Sequence, residues 1–261
     1  MSTIRKIAKS CAVLVMGRKC RSRKILRGLA SGYRISVSPA ENLGYLLGIE
    51  ERDLQRAIKR YVVAGDTAYD VGAHIGYVSL SLVKRVGQGG HVIAFEPFPR
   101  NVALLRANIA NNSLSNVQVF DVAAWDRCGE AVIRISENFA TASLVWHKND
   151  RSAIEYKIKT VALDDLIEAN GLPKPNFVKI DVEGAEGAVL SGMRRIIATA
   201  KPVLFVECSD AGRDTTWPML RKLGYQCQSA ITGKWIHVFE EYRHSDFLWL
   251  PPDLSTVVED I

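Results

Sequence analysis

The chain has 261 residues, 48% of them apolar and 24% charged, which is enough to bury the core of one sizeable soluble domain. The net charge of +6 is unevenly placed, because residues 1–40 hold ten basic residues and no acidic one, so residues 41–261 carry −4. The longest apolar run near the N terminus, residues 11–17, is shorter than the roughly 20 residues of a membrane span, and basic residues follow it where a signal peptide would be cleaved. The five cysteines form no CxxC pair, which excludes zinc-ligand spacing and predicts reduced thiols in a cytoplasmic protein.

The N-terminal region is predicted to be a basic arm, residues 1–40, followed by a single domain, residues 41–261. Residues 1–34 place several apolar side chains near one helical face, so we expect a helical arm. Two interpretations stay open: a solvated terminus, or a segment attracted to an anionic membrane surface or an acidic partner. Residues 49–63 repeat apolar side chains at helical spacing and predict an amphipathic helix.

From residue 67 onward, predicted strands alternate with helices, which predicts an α/β fold with a mostly parallel sheet and helices on both faces. The predicted strands are "TAYDVG" (67–72), "HVIAFEP" (91–97), "VQVFDVAAW" (117–125), "EAVIRIS" (130–136), "KIKTVAL" (157–163), "NFVKIDVEG" (176–184), "PVLFVEC" (202–208), "YQCQSAI" (225–231) and "KWIHVFEE" (234–241). Residues 137–153 are predicted to be an irregular insertion. Ligands of such sheets bind beyond the carboxyl ends of the strands, so the residues that end each strand are the candidate site.

The stretch "DVGAHIGYVSL", residues 70–80, has the composition of a ligand-binding turn. Gly72 and Gly76 let the backbone turn tightly before a helix whose free N–H groups point at the loop. The third glycine of a dinucleotide fingerprint is missing, and a carboxylate at Asp70 would repel pyrophosphate but suits a cationic ligand end such as an amino group. Glu96 ends the next strand, where an acid can accept hydrogen bonds from both hydroxyls of a ribose. This combination favours S-adenosyl-L-methionine over NAD.

Three further stretches resemble the FkbM family of S-adenosylmethionine-dependent methyltransferases: "FEPFPRNVALLRANI" (95–109), "TVALDDLIEANG" (160–171) and "FVKIDVEGAEGAVLSGM" (177–193). Residues 70–80 look like that family's cofactor loop, and the resemblance covers about residues 41–253. The resemblance implies a Rossmann-like class I methyltransferase fold with a mostly parallel seven-stranded sheet and the last strand antiparallel. It also implies methyl transfer to a hydroxyl of a sugar or other small metabolite.

The resemblance also implies roles for individual residues. The cofactor loop would be formed by Asp70, Gly72, Ala73 and Gly76, the ribose would be held by Glu96, and the adenine would be bordered by backbone around Ala123 and Ala124. Asp181 would lie near the methionine end and the methyl group. The family more often has Asn where this chain has His74, and we interpret the histidine as a tolerated variant.

A sugar hydroxyl must be aligned with the methyl group and must lose its proton to react. Asp181 and Glu207 end two strands that are predicted to be neighbours. They are expected to converge as general base and orienting group, or as oxygen ligands for Mg²⁺, and the sequence leaves metal dependence open.

Other functions stay open at this point. An RNA methyltransferase could grip phosphates with the basic arm, although the acidic body and the absence of a flipped-base motif after the fourth parallel strand count against it. A nicotinamide-dependent oxidoreductase is disfavoured by the missing glycine and by Asp70. A binding module without catalysis is disfavoured by the presence of Asp70, Glu96 and Asp181 together. The expected acceptor is therefore a small molecule or a glycan.

Overall fold

The computed structural model describes residues 19–135, 142–143, 154–182, 184–208, 210–238 and 245–255. The strands are β1 (Arg21–Lys24), β2 (Arg34–Val37), β3 (Thr67–Val71), β4 (His91–Phe95), β5 (Val117–Phe120), β6 (Ala123–Trp125), β7 (Gly129–Ile135), β8 (Ala142–Ser143), β9 (Ile154–Ala162), β10 (Phe177–Ile180), β11 (Val203–Glu207), β12 (Gln226–Ser229), β13 (Trp235–Ile236) and β14 (Asp246–Leu250). The helices are α1 (Pro39–Leu47), α2 (Arg52–Tyr61), α3 (Tyr77–Val86), α4 (Pro99–Asn111), α5 (Leu163–Asn170), α6 (Glu186–Ser191), α7 (Arg194–Ala200), α8 (Asp210–Lys222) and α9 (Pro252–Ser255).

The central sheet has eight strands in the order β13-β12-β14-β11-β10-β3-β4-β5. Strands β3, β4, β5, β10 and β11 run parallel, and β14 lies antiparallel between β11 and β12. This topology confirms the predicted Rossmann-like α/β fold with an antiparallel last strand, while the two-residue strand β13 adds an eighth strand at one edge. Strand order reverses between β3 and β10, so their carboxyl ends border the crevice in which ligands of such sheets bind.

Two separate apolar cores cover the two faces of this sheet. Val178 and Ile180 of β10 pack on one face with residues of α6 and α7. Phe177 of the same strand packs on the other face with residues of α2, α3 and β2. Because successive strand residues point to opposite faces, Lys179 of β10 shares the second face with Phe177. Its register partner in β3, Asp70, points the same way.

Residues 21–37 contain an antiparallel pair of strands, β1 and β2, so residues 21–24 of the arm predicted over 1–34 form a strand and not a helix. In β2, residues 34–37 alternate between exposed or half-buried and buried side chains, the period of a strand. Ile25 and Ile35 are buried in the same cluster as Leu54 of α2. Residues 1–18 lie outside the described residues, and the domain boundary at residue 40 stays a prediction.

The amphipathic helix predicted over 49–63 is present as α2. Within the part of the chain that the structure describes, no helix has both the length and the apolar character needed to cross a membrane.

The single strand predicted for 117–125 is divided between two sheets. Strand β5 pairs with β4 in the central sheet, whereas β6 pairs with β9 in a second sheet of order β6-β9-β7-β8. The chain leaves the central sheet at Asp121, whose carboxylate pairs with Arg106 of α4. The expected irregular insertion, 137–153, holds the short strand β8, and its other residues lie outside the described ones.

Strand β14 has no counterpart among the predicted strands. Because β11 and β12 flank it, four of its five residues are buried, so the sequence "DFLWL" lacks the alternation of a half-buried strand. This strand matters for the site because it begins at Asp246, beside the end of β11.

Candidate active site

A buried lysine joins the ends of β3 and β10. Lys179 lies opposite Asp70 in the register of the two strands, and its side chain is only 4% exposed. Its Nζ donates a hydrogen bond to the backbone oxygen of Gly72 at 2.7 Å and lies 3.3 Å from Asp181 Oδ2 and 3.4 Å from Asp70 Oδ1. Burial alone would lower the pKa of Lys179, but the charges of Asp181, Asp70 and Glu51 outweigh it and raise the pKa, so the side chain is an ammonium.

Asp70 is fully buried, and the cation beside it is Lys179. Its Oδ2 accepts a hydrogen bond of 2.6 Å from the hydroxyl of Ser79 in α3. The carboxylate therefore links β3, β10 and α3. Contact between Asp70 and the amino group of a ligand stays a prediction.

The loop 72–76 is held between the ends of β4 and β10. The N–H groups of Gly72 and Ala73 both donate to the backbone oxygen of Phe95 at 3.0 Å. Gly72 has a φ of 77°, and a Cβ there would collide with the backbone oxygen of Asp181. Glycine is thus required for the loop to pass directly against the end of β10. Gly76, with a φ of 91°, precedes the first turn of α3, whose free N–H groups face the loop.

Glu96 holds the same loop from the end of β4. Its Oε2 accepts a hydrogen bond from the His74 N–H at 2.8 Å, and its Oε1 accepts from the Phe98 N–H at 2.9 Å and the Asn101 side chain at 3.3 Å. Burial raises the pKa of Glu96, and these hydrogen bonds oppose the rise. A carboxylate offers about four acceptor positions, so Glu96 keeps acceptor capacity beyond these three contacts, and its bond to the ribose stays a prediction.

His74 occupies a left-handed backbone position, with a φ of 51°. Among residues other than glycine, Asn, Asp and His adopt this conformation most readily, which explains why a histidine can stand where an asparagine is more usual. Burial, together with the positive charge of Lys179, lowers the pKa of the imidazole and favours its neutral form.

Carboxylates lie side by side at the ends of three neighbouring strands. Glu207 of β11 faces Asp246 of β14 in the antiparallel register. Asp181 directly follows β10, whose last residue pairs with Val206. Directly opposite residues of an antiparallel pair, such as Glu207 and Asp246, have Cβ atoms about 4.5–5.5 Å apart. Glu51, which precedes α2, adds a further negative charge that acts on this group.

Burial and the crowding of negative charge raise the pKa of two of these carboxylates toward neutral pH. Burial and the charges of Asp181, Asp246 and Glu51 raise the pKa of Glu207 to about 8, against the opposing effect of Lys179. Burial also raises the pKa of Glu51 to about 7. A carboxylate that titrates near neutral pH is suited to general base catalysis. In the described ranges, no three His, Cys, Asp or Glu side chains are arranged to hold a metal ion.

Ala123 and Ala124 lie at the start of β6, in the second sheet. Both are buried: Ala123 belongs to an apolar cluster with Phe98, close in sequence to Glu96, and Ala124 to the core of one face of the central sheet. The predicted contact between their backbone and an adenine ring stays a prediction.

The sequence reasoning missed Lys179, Asp246 and Glu51 as members of this group. A signal for Lys179 was present, since a lysine inside the apolar strand "FVKI" needs a buried partner. Asp246 and Glu51 gave no such signal, because Asp246 begins β14 and Glu51 precedes α2, two elements that only tertiary packing brings to the site.

The described residues fit S-adenosyl-L-methionine. The loop has no side chain at Gly72 and Gly76, Glu96 keeps an acceptor position at the end of β4, and Asp181 remains half-buried at the crevice. The site thus offers a backbone surface, a ribose acceptor and an acid for a cationic centre in one crevice.

The chain is similar in sequence to known methyltransferases. The Methyltransferase FkbM domain matches residues 70–227. The chain is 29% identical over 178 residues to the hexuronic acid methyltransferase AglP of Haloferax volcanii, which covers 67% of this chain and 70% of that protein. It is 28% identical over 133 residues to the 2-O-methyltransferase NoeI of Sinorhizobium fredii, covering 46% of this chain and 54% of that protein. A solved structure of an FkbM methyltransferase from Methylobacillus flagellatus shares 18% identity with a TM-score of 0.46, covering 95% of this chain and 59% of the other.

The matched family region begins at Asp70 and ends in β12, so it includes the glycine loop, Glu96, Lys179, Asp181 and Glu207. It spans more than half of the chain. The chain therefore belongs to the FkbM family of S-adenosylmethionine-dependent methyltransferases.

Proposed function

We propose that this methyltransferase acts on a hydroxyl group of a sugar or glycan. The observation that carries the proposal is the pair of half-buried carboxylates, Asp181 and Glu207, at neighbouring strand ends beside the cofactor loop. The similarity to AglP and NoeI, a hexuronic acid methyltransferase and a 2-O-methyltransferase, supports a sugar acceptor for this chain.

The chain's own residues supply binding, alignment and proton transfer. S-adenosyl-L-methionine, when bound, supplies a methyl group on a positively charged sulfur. The backbone of Gly72, Ala73 and Gly76 would hold it, and Glu96 would accept a hydrogen bond from one ribose hydroxyl. Asp181 would orient the acceptor hydroxyl, and Glu207, with its pKa raised to about 8, would take up the hydroxyl proton.

The test is a methyl-transfer assay with a panel of acceptors. Purified protein is incubated with S-adenosyl-L-methionine and a nucleotide-linked hexuronic acid, neutral nucleotide sugars, a free oligosaccharide or RNA, and the products are analysed by mass spectrometry. We expect a mass gain of one methyl group on a sugar. Methylation of RNA alone would contradict the proposal and favour the nucleic-acid alternative.

Substitution of the two carboxylates tests their roles in the same assay. Asp181→Asn and Glu207→Gln should each lower kcat by about 100-fold or more, while the affinity for S-adenosylhomocysteine changes by less than about threefold. Asp165→Asn removes an exposed carboxylate that pairs with Arg195 at 3.2 Å and is the matched control. Full turnover of Asp181→Asn would remove Asp181 from the mechanism.

The assay also separates a carboxylate base from the Mg²⁺ site considered for Asp181 and Glu207. If Glu207 is the base, EDTA leaves turnover unchanged and the rate rises with pH through the pKa of about 8. Loss of turnover in EDTA that added Mg²⁺ restores would favour the metal.

We also propose that the basic N-terminal segment contacts an anionic membrane surface. The support is its charge, since no acidic residue precedes Glu41, and the 60% exposed Leu26 among its exposed basic residues.

A further inference from the structure

We propose that Lys179 is a positioning residue for methyl transfer: its ammonium fixes the Gly72 carbonyl of the cofactor loop and the Asp181 carboxylate relative to each other. The inference rests on the proposed function, because Asp181 matters here as the carboxylate that orients the acceptor hydroxyl. Lys179 would therefore set the alignment between the methyl donor and the acceptor without touching either.

Three oxygen atoms lie within 3.4 Å of the Lys179 ammonium, which donates a hydrogen bond to Gly72 O and forms ion pairs with Asp181 and Asp70. A lysine ammonium has three N–H donors and no acceptor. Gly72 O lies 2.7 Å from Nζ, Asp181 Oδ2 lies 3.3 Å away and Asp70 Oδ1 lies 3.4 Å away. Since the side chain is 4% exposed, the ammonium is directed at the protein and not at a ligand. Lys179 consequently acts through Gly72 and Asp181.

Backbone contacts bring the loop and the strand end together, but they do not orient the carboxylate. Gly72 packs so closely on the backbone oxygen of Asp181 that a Cβ would not fit, and the Asp181 N–H donates to Val71 at 3.2 Å. The bond from Lys179 is the contact in this group that reaches the Asp181 side chain. Loss of the contact from Lys179 would leave the backbone of the crevice in place, but the Asp181 side chain would no longer be held in one orientation.

The simpler explanation is that Lys179 only neutralises the buried Asp70. Breaking a buried ion pair by removing one partner leaves an uncompensated charge, which alone would destabilise the fold. However, the ammonium is as close to Asp181 as to Asp70, and its shortest contact is to Gly72. The two explanations differ in what happens when both buried charges are removed together.

The experiment compares Lys179→Met, Asp70→Asn and the double variant Lys179→Met with Asp70→Asn. Lys201→Met is the control, because this lysine pairs with Asp253 at the surface, at 2.8 Å. Four quantities are measured: the Tm, amide hydrogen exchange of residues 72–76, the Kd of S-adenosylhomocysteine, and kcat and KM for the acceptor found above. Hydrogen exchange needs no ligand and therefore reads the loop directly.

We expect Lys179→Met to unfold at a much lower temperature and the double variant to recover most of this loss, because it has no unpaired buried charge. Relative to Asp70→Asn alone, the double variant should exchange loop amides at least about tenfold faster and bind S-adenosylhomocysteine at least about tenfold more weakly. Its kcat should fall by about 100-fold, with a smaller change in the acceptor KM.

A double variant that matches Asp70→Asn in loop exchange and in affinity would overturn the proposal and leave Lys179 as a counter-ion only. If the wild type binds S-adenosylhomocysteine but methylates no sugar, the proposed function fails while exchange and affinity still decide the role of Lys179. If the wild type binds no S-adenosylhomocysteine, loop exchange decides it alone.

Discussion

Backbone conformation determines which residues can stand at position 74 of the cofactor loop. His74 has a φ of 51°, and its N–H donates to Glu96 at 2.8 Å. We expect His74→Asn to change the free energy of unfolding by less than about 0.5 kcal/mol, since Asn adopts this conformation readily. His74→Val should destabilise the protein by about 1–3 kcal/mol, because a β-branched side chain is strained there. Thermal unfolding of both variants is the measurement, and equal stability of the two would contradict a requirement of the backbone conformation at position 74.

The raised pKa of Glu207 predicts a pH dependence of stability. The folded protein retains this proton up to about pH 8, whereas an unfolded Glu releases it near pH 4.3 or so. Between these values the folded state binds more protons, so the free energy of unfolding falls as pH rises. Glu207→Gln cannot titrate and should gain about 1–2 kcal/mol over the wild type between pH 4 and pH 9, a value reduced for partial solvent screening. Denaturant titrations at both pH values check this; a parallel change in both proteins would contradict it.

The sequence predicts which residues reach the site better than it predicts their partners. Asp70, Gly72, Glu96 and Asp181 end or follow parallel strands, and that placement follows from the alternation of strands and helices. The hydrogen bonds that occupy Glu96, and the bond from Lys179 to Gly72, depend instead on how loop and strands pack. Such contacts carry no local sequence pattern.

At the scale of elements, the close packing of loop 72–76 on the end of β10 is a structural requirement. Gly72→Ala places a Cβ against the Asp181 backbone oxygen at a φ of 77°, so we expect a loss of about 2 kcal/mol or more in stability and weaker S-adenosylhomocysteine binding. Gly89→Ala is the matched control, because nothing lies within 4 Å of its added Cβ. Calorimetric unfolding and titration measure both effects. If the two variants behave alike, the loop has room to move away from β10.

The elements that sequence patterns misplace share one cause. Residues 117–125 read as one strand because apolar residues flank Asp121 on both sides, but β5 and β6 belong to different sheets. The strand β14 lacks alternation because both neighbours bury it, and β1 and β2 become a hairpin because Ile25 and Ile35 have a core to join. In each case tertiary burial, not local propensity, decides the outcome.

At the scale of the whole molecule, positive charge is concentrated in the N-terminal hairpin, residues 19–37, which contains β1 and β2. Five basic side chains are exposed there beside the exposed Leu26: Lys19, Arg21, Lys24, Arg27 and Arg34. Residues 41–261 carry a net charge of −4. A membrane surface rich in anionic lipid would attract the hairpin and keep the acidic body in solution, so the charge asymmetry predicts an oriented contact.

Vesicle sedimentation tests this contact. The wild type should bind vesicles of phosphatidylcholine with phosphatidylserine and be released by salt, because exposed charges are screened within about 10 Å at 0.1 M. Replacing Arg21 and Lys24 by Glu should weaken binding at least about tenfold, since each basic residue near such a surface contributes roughly 1 kcal/mol. Replacing Lys157 and Lys159, exposed on β9, makes the same change in net charge elsewhere and should have little effect. Equal losses in the two double variants would mean that only net charge acts, and the hairpin would then have no specific role.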